Sequence, residues 1–291
     1  SFAKFDTGCD YPEVRGCYVE RLWGTDSGFG YGVLCGGVIA PKVLGNVFIG
    51  SAGRGRHAVY LSAGTSYGRA LYNYVSGFQW EGITSYTTDA QPTAIDNIIA
   101  FNTLIGCASS GGFSNSSISL FTNTQECTVA FNRIKNSGGC GIKSDGTGSV
   151  NHKHNRIIGN QVLESGYIGI DIASLQGFDL VLNHVRESSQ VAAGTYANIR
   201  LLSDGVTATS AGLVALNRSH GPAFARSASR GSYADGWQLR AAISQRTTFG
   251  VSAFLASSFA SAISTTAVLR VSLLSACQSC VVSSQCAPVA L

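Results

Sequence analysis

The sequence predicts an all-β protein: a right-handed single-stranded parallel β-helix, or solenoid, ending in a C-terminal cap or trimerisation segment. Three observations carry the prediction. A short apolar block ending in Asn recurs along most of the chain, a second strand pattern follows each block, and the composition favours strands and turns over helices.

The composition comes first. The 291 residues are enough to bury a sizeable core, and they include 35 Gly, 12% charged residues, 45% hydrophobic residues and no Met. Many short strands joined by tight turns match that balance better than long amphipathic helices do. A net charge of +4, with Lys and Arg scattered, is too mild for the basic stripe of a nucleic-acid binder, so nucleic acid is not an expected partner. No apolar run is long enough to span a bilayer, so membrane insertion is not expected either. The first residues, Ser1 to Lys4, carry no signal-peptide pattern, and with no initiator Met the chain reads as processed or excised.

The recurring block is easy to align. It reads Lys42-Val43-Leu44-Gly45-Asn46, Arg69-Ala70-Leu71-Tyr72-Asn73, Ile98-Ile99-Ala100-Phe101-Asn102 and Thr128-Val129-Ala130-Phe131-Asn132 in the first half of the chain. It continues as Arg156-Ile157-Ile158-Gly159-Asn160, Asp179-Leu180-Val181-Leu182-Asn183 and Leu213-Val214-Ala215-Leu216-Asn217, and Val14-Arg15-Gly16-Cys17 is a degenerate eighth copy. The steps between Asn residues are uneven about a mean near 28 residues, unlike the stricter periods of helical repeats, and imply loops of variable length. After each block comes a Gly/Ser-rich corner and a second strand, such as Gly141-Ile142-Lys143 or Gly169-Ile170-Asp171. Two strands per repeat cannot bury their own apolar side; stacked in parallel on their neighbours, they can. A buried corner Asn bonds backbone and the Asn one coil away, so the Asn column reads as scaffold.

The pattern fades toward the C-terminus. The β-helix is expected over residues 1–235 and the cap or oligomerisation segment over 236–291, with Asp6 to Trp23 as a lead-in at the other end. Of the nine cysteines, most read as small buried apolar side chains; Cys277 and Cys280, with Cys286 near, suit a disulfide better than a metal because no His or second pair follows. No metal site and no cofactor are expected.

The Asn-anchored coils, including Asn155-Arg156-Ile157-Ile158-Gly159-Asn160-Gln161-Val162 followed by Gly166-Tyr167-Ile168-Gly169-Ile170-Asp171, resemble the pectate-lyase-type β-helix superfamily over about Val14 to Arg230. Within it, the low charge and the Ser/Ala/Thr-rich C-terminal segment look most like a bacteriophage tailspike or capsular depolymerase. That resemblance implies a homotrimer in the virion or outside the cell, binding a bacterial surface polysaccharide and contacting other virion proteins. Two rivals stand beside it: a non-catalytic adhesin or structural spike, and a secreted bacterial polysaccharide lyase. Arg133-Ile134-Lys135 copies a polygalacturonase triplet, but that family's Asp-Asp pair and Gly-His-Gly are missing, so the match reads as chance.

Alternation along the second strands places Tyr60, Thr84, Lys143, Asp171 and Arg200 in one exposed column, with Ser119 between. The alternating charges either pair along the surface or line a sugar-binding groove. Glycoside hydrolysis needs two carboxyls, roughly 5 to 5.5 Å apart for retention or 6.5 to 9.5 Å for inversion. Asp145 and Asp171, in consecutive coils, are the first candidate catalytic pair, and Glu164 and Glu187, each four residues after its Asn, are the second. Trp80 and Glu81, ahead of Asp89 and Asp96, offer a ring for stacking and a carboxyl for acid work. Substrate binding is thus expected at Trp80, Glu81, Tyr60, Lys143 and Arg200. Lyase chemistry would call on Arg54, Arg56, His57 and Tyr60, while His152 and His154 read as surface residues.

Overall fold

The computed structural model describes residues 1–22, 30–51, 55–149, 151–192, 195–202, 209, 213–220 and 238–240. Among them the strands pair in parallel and no helix occurs, which makes the chain a right-handed parallel β-helix. One coil runs through Cys140–Asp145 in the first sheet, Arg156–Ile158 in the second and Gln161–Leu163 in the third. The next repeats it as Ile170–Ala173, Asp179–Val181 and His184–Arg186. Stacking produces sheets of eight, nine and eight strands.

The third strand corrects the expectation of two per repeat. The residue before each Asn takes a left-handed backbone, as at Gly45 (φ 61) and Gly159 (φ 65), and so turns the chain sharply. Apolar residues after the Asn therefore begin a new strand instead of prolonging the old one. Asp6 to Trp23 is likewise more than a lead-in, because Ala3–Phe5, Glu13–Arg15 and Tyr18–Leu22 already pair as the first coil. At the far end Gln238–Arg240 pairs with Leu213–Ala215. The expected cap otherwise lies outside the described residues, as do Cys277, Cys280, Cys286, Trp23 and Arg54.

Asparagines 46, 73, 102, 132, 160, 183 and 217 form one row at the corner between the second and third sheets. Each side-chain amide from Asn46 to Asn183 donates to the carboxamide oxygen of the next Asn at 2.9 to 3.0 Å, across sequence gaps of 23 to 34 residues. The same oxygen accepts the backbone N–H of the preceding Asn in the row, and Cys17 N–H joins the row through Asn46 at 2.9 Å. A corner buried between two sheets has no ladder partners of its own, and the Asn supplies them.

Inward side chains pile into columns. In the first sheet Val33, Val59, Ile83, Ile118, Ile142 and Ile170 are register partners in turn, and all are fully buried. The β-branched members suit a pleated wall packed on one face. The Gly-Ile signature also has a steric cause: a Cβ at Gly169 would meet Val185 Cγ1 at 2.1 Å and Asn198 O at 2.5 Å. Burial pushes the Cys35, Cys107, Cys127 and Cys140 thiols up to about 12, so they act as small apolar side chains, as expected.

Candidate functional site

The first sheet's outward column has the expected register, with Tyr60, Thr84, Ser119, Lys143, Asp171 and Arg200 as successive partners. It is not the exposed column the sequence suggests. Thr84, Ser119 and Asp171 are fully buried, and Thr84 Oγ1 accepts a hydrogen bond from Ser119 Oγ at 2.9 Å. The segments leading into the strands fold back over them and bring an aromatic cluster, Phe113, Tyr167 and Tyr196, with ring centroids 4.8 to 5.0 Å apart. Lys143 Nζ donates to the Phe113 carbonyl at 3.1 Å, and the Arg200 guanidinium lies 5.0 Å from the Phe113 ring.

The charges in this column pair with one another. Arg200 grips Asp171 through Nε at 2.8 Å and Nη2 at 2.9 Å, a bidentate bridge to a carboxylate with no solvent exposure. Burial disfavours the Arg200 charge, but the Asp171 carboxylate outweighs it and raises the guanidinium further above its usual range. Asp145 sits 2.9 Å from Lys143 Nζ and accepts from the Thr147 backbone at 3.0 Å. Burial opposes its ionisation, yet Lys143 and Thr147 together hold its carboxyl below the usual range. Asp145 aligns with Ala173, and Asp171 with Lys143. Each carboxylate of the first candidate pair is therefore satisfied by its own cation.

Glu164 and Glu187 occupy equivalent corners after the third sheet, each with a left-handed backbone at φ 56. Glu164 lies 3.6 Å from Lys135, and Glu187 lies 3.6 Å from Arg186. Asp89 accepts from Ser149 Oγ at 2.6 Å and Asp96 from Arg69 at 3.0 Å, so neither joins Trp80 and Glu81.

Trp80, Glu81 and Tyr60 do come together, in a second cluster at the N-terminal end of the sheet's early strands. The sequence left His57 and Arg56 as undistinguished lyase candidates; here they are at its centre. His57 is buried with its ring centroid 4.7 Å from that of Tyr60 and 5.5 Å from that of Tyr31, and the Trp80 ring stands perpendicular to it with centroids 6.1 Å apart. Glu81 Oε2 is 3.0 Å from His57 Nδ1, but the ring N–H is not aimed at it, so the two are in close contact without a well-aligned hydrogen bond. Desolvation lowers the His57 pKa, partly opposed by Glu81, and the ring is neutral at pH 7. Arg56 lies 4.1 Å over the Trp80 ring and donates to Tyr31 Oη at 3.0 Å. Burial pushes the Tyr60 phenol well above its usual range, and Tyr31 and Tyr86 add to the effect.

Between the two clusters runs a half-exposed aromatic row that the sequence reading missed. Tyr86 is 6.2 Å from Tyr60 and 6.3 Å from Phe121, Phe121 aligns with Asp145, and Lys143 Nζ lies 5.7 Å over the Phe121 ring. The signal was available: Tyr86 and Phe121 sit two residues beyond Thr84 and Ser119, on the same outward parity. His152 corrects a further expectation, because it is fully buried and not a surface residue. Its Nδ1 is 2.9 Å from Thr124 Oγ1 and its Nε2 2.9 Å from Ser144 Oγ, while burial lowers its pKa to about 4. Among the described residues no group of three or more His, Cys, Asp or Glu is placed to hold a metal ion.

No family model and no curated protein matches the chain. Among solved structures it is similar to a double mutant of the periplasmic alginate epimerase AlgG, at 10% identity and a TM-score of 0.47. The likeness covers 72% of this chain and 51% of that one, so the chain spans about half the length of the structure it matches.

Proposed function

We propose that the chain is a polysaccharide-binding β-helix of the spike type, which holds a bacterial surface glycan along the outer face of its first sheet. One observation carries this reading: the row Tyr60, Tyr86 and Phe121, half-exposed and ending at the Lys143–Asp145 pair. Sugar rings have apolar C–H faces that pack on aromatic rings and hydroxyls that bond to polar groups beside them. Tyr86, Phe121 and Asp145 are register partners in successive strands, about 4.8 Å apart, and Tyr60 stands one strand earlier and two residues back, so the groups meet an extended chain in sequence. The homotrimer and virion setting that the family resemblance implies belong to the same proposal.

A second reading, cleavage of the bound glycan, is favoured by the cluster at the row's other end. Neutral His57 is suited to take the proton beside a uronate carboxylate, Arg56 to neutralise that carboxylate, and the protonated Tyr60 phenol to give a proton to the leaving oxygen. Hydrolysis through Asp145 and Asp171, or through Glu164 and Glu187, would instead need one carboxyl of the pair to be released from its cation.

The test is a panel of bacterial capsular and surface glycans, scored for binding, for new reducing ends and for absorbance of unsaturated uronates. Binding that weakens on Phe121→Ala is the expected result. Unsaturated products assign elimination to the His57 cluster, and reducing ends alone assign hydrolysis to a carboxylate pair. Failure to bind any glycan in a broad panel overturns the proposal.

A further inference from the structure

The corner between the second and third sheets carries a feature the glycan reading does not use. The left-handed position before each Asn is filled by Gly at 45 and 159, but by Tyr72, Phe101, Phe131, Leu182 and Leu216 elsewhere, at φ between 52 and 59. That backbone is unfavourable for any residue with a Cβ. Burial does not offset the strain: the Asn side chains fill the inside of the corner, and these five residues stand on its outside, 62%, 47%, 51%, 53% and 49% exposed. The Tyr72, Phe101 and Phe131 rings stack with centroids 5.2 and 5.3 Å apart, so their edges face outward as a ridge. Phe131 also covers Gly159, where a Cβ would meet its Cε1 at 2.5 Å, and Leu182 and Leu216 continue the row. From Tyr72 to Leu216 the ridge spans about 24 Å at the usual strand spacing. It exposes on the order of 500 Å2, toward the upper end of the largest apolar patch on an ordinary monomer.

Cations flank the ridge on both sides. On the third sheet, Arg133, Gln161, His184 and Arg218 are successive register partners in the column beside it. Arg133 and Arg218 are exposed, and among the described residues neither is in an ion pair. One column further out, Lys135 and Arg186 lie 3.6 Å from Glu164 and Glu187, and His220 is the register partner of Arg186. On the second sheet Lys42 and Arg156 are exposed and Arg69 is paired with Asp96, while Asp179 opposes them with a carboxylate that accepts from the Leu213 backbone at 3.2 Å. His184 feels the resulting potential: desolvation lowers its pKa, and Arg186, Arg218 and His220 lower it further.

We propose that this corner docks onto an anionic lipid surface, with the ring edges and the two leucines at headgroup depth and the flanking cations on the lipid phosphates. Two requirements select that partner. A soluble polyanion would satisfy the cations and leave the apolar edges wet, whereas an apolar protein face would cover the edges and leave Arg133 and Arg218 buried without a counter-charge. An anionic bilayer meets both, because apolar side chains enter the boundary between headgroups and acyl chains while basic side chains pair with phosphates. The shape suits it too: a convex edge enters a flat interface along its whole length while the sheets on either side stay out. The backbone N–H groups of Tyr72, Phe101, Phe131 and Leu182 donate to carbonyls of the next coil, so these donors are not carried into the lipid unpaired. The contact lies on the bilayer and does not cross it. The glycan face is on the first sheet, so neither reading depends on the other.

Co-sedimentation of the full chain with lipid vesicles tests it. The expected result is binding to vesicles of equal parts phosphatidylglycerol and phosphatidylcholine, about tenfold or more weaker binding to phosphatidylcholine alone, and a decline as salt rises. Arg133→Gln with Arg218→Gln should weaken binding about thirtyfold, the loss of two cations held near the surface. Phe101→Ser with Phe131→Ser should weaken it about tenfold or more, with β-sheet circular dichroism unchanged. Equal binding to the two vesicle types overturns the proposal, as does binding to neither. Wild-type binding by the folded serine variant also overturns it and, with undiminished affinity for dextran sulfate, assigns the patch to a soluble polyanion. Should the serine variant not fold, unchanged binding by the glutamine variant overturns the proposal alone.

Discussion

Asn132→Ala should destabilise the solenoid by about 4 to 6 kcal/mol, far more than a polar-to-Ala change on a surface would. Four hydrogen bonds leave with the side chain. Its amide no longer donates to Ile99 O at 2.9 Å or to Asn160 Oδ1 at 3.0 Å, and its oxygen no longer accepts from the Asn102 backbone at 3.0 Å or the Asn102 amide at 2.9 Å. The Asn102 amide keeps Ala70 O, but the buried Asn102 N–H loses its acceptor. An orphaned buried donor costs about 1 to 3 kcal/mol, and the other bonds contribute about 1 each, which gives the total. A typical domain has only about 5 to 15 kcal/mol to lose. Urea denaturation followed by circular dichroism measures the change. Asn132→Asp should cost at least as much as Ala, because it keeps the acceptor for Asn102 but sets a buried carboxylate oxygen against Ile99 O and Asn160 Oδ1. A loss below about 1 kcal/mol for Asn132→Ala would refute the idea that the row satisfies the corner.

Cys17→Asn extends the row by one carboxamide toward Asn46 and should stabilise the fold by about 0.5 to 1 kcal/mol in the same urea assay. Arg200→Ala leaves the Asp171 carboxylate buried without its partner and should cost about 3 to 5 kcal/mol, whereas Asp171→Val with Arg200→Val should recover most of that loss. His152 has its pKa lowered from 6.5 to about 4, so the unfolded chain binds a proton there before the native one does. Stability should therefore fall as pH drops from about 6.5 to 4, by up to about 3 kcal/mol, and His152→Gln should flatten that part of the urea-midpoint profile against pH. Tyr86→Ala and Phe121→Ala should each weaken binding of a glycan ligand about tenfold in calorimetric titration, at a temperature where circular dichroism shows the variant folded.

The coil was legible because stacking turns sequence periodicity into space: residues at equivalent places become register partners, and the seven Asn form one row. The third strand was hidden because the left-handed residue that marks its boundary is Gly only before Asn46 and Asn160, and is Tyr72, Phe101, Phe131, Leu182 or Leu216 before the other five Asn. The site was legible in one dimension and not in the other. Alternation fixed which residues of the first sheet point outward, including Tyr60, Lys143, Asp171 and Arg200 in their observed order. It did not fix which of them reach solvent. That depends on the irregular segments before each strand, whose uneven lengths carry Phe113, Tyr167 and Tyr196 across the column.

Depth also separates the two kinds of charged group on this face. A bidentate Asp171–Arg200 pair with no exposed carboxylate is committed to each other: displacing either partner for a ligand would strand the other in a low-dielectric site. One column over, the aromatic row needs no such displacement. Tyr86 and Phe121 are already partly exposed and already positioned by register, so a ligand laid on them releases water without breaking a bond in the fold. The buried column is thus the strut, and the half-exposed row beside it is the surface that can bind.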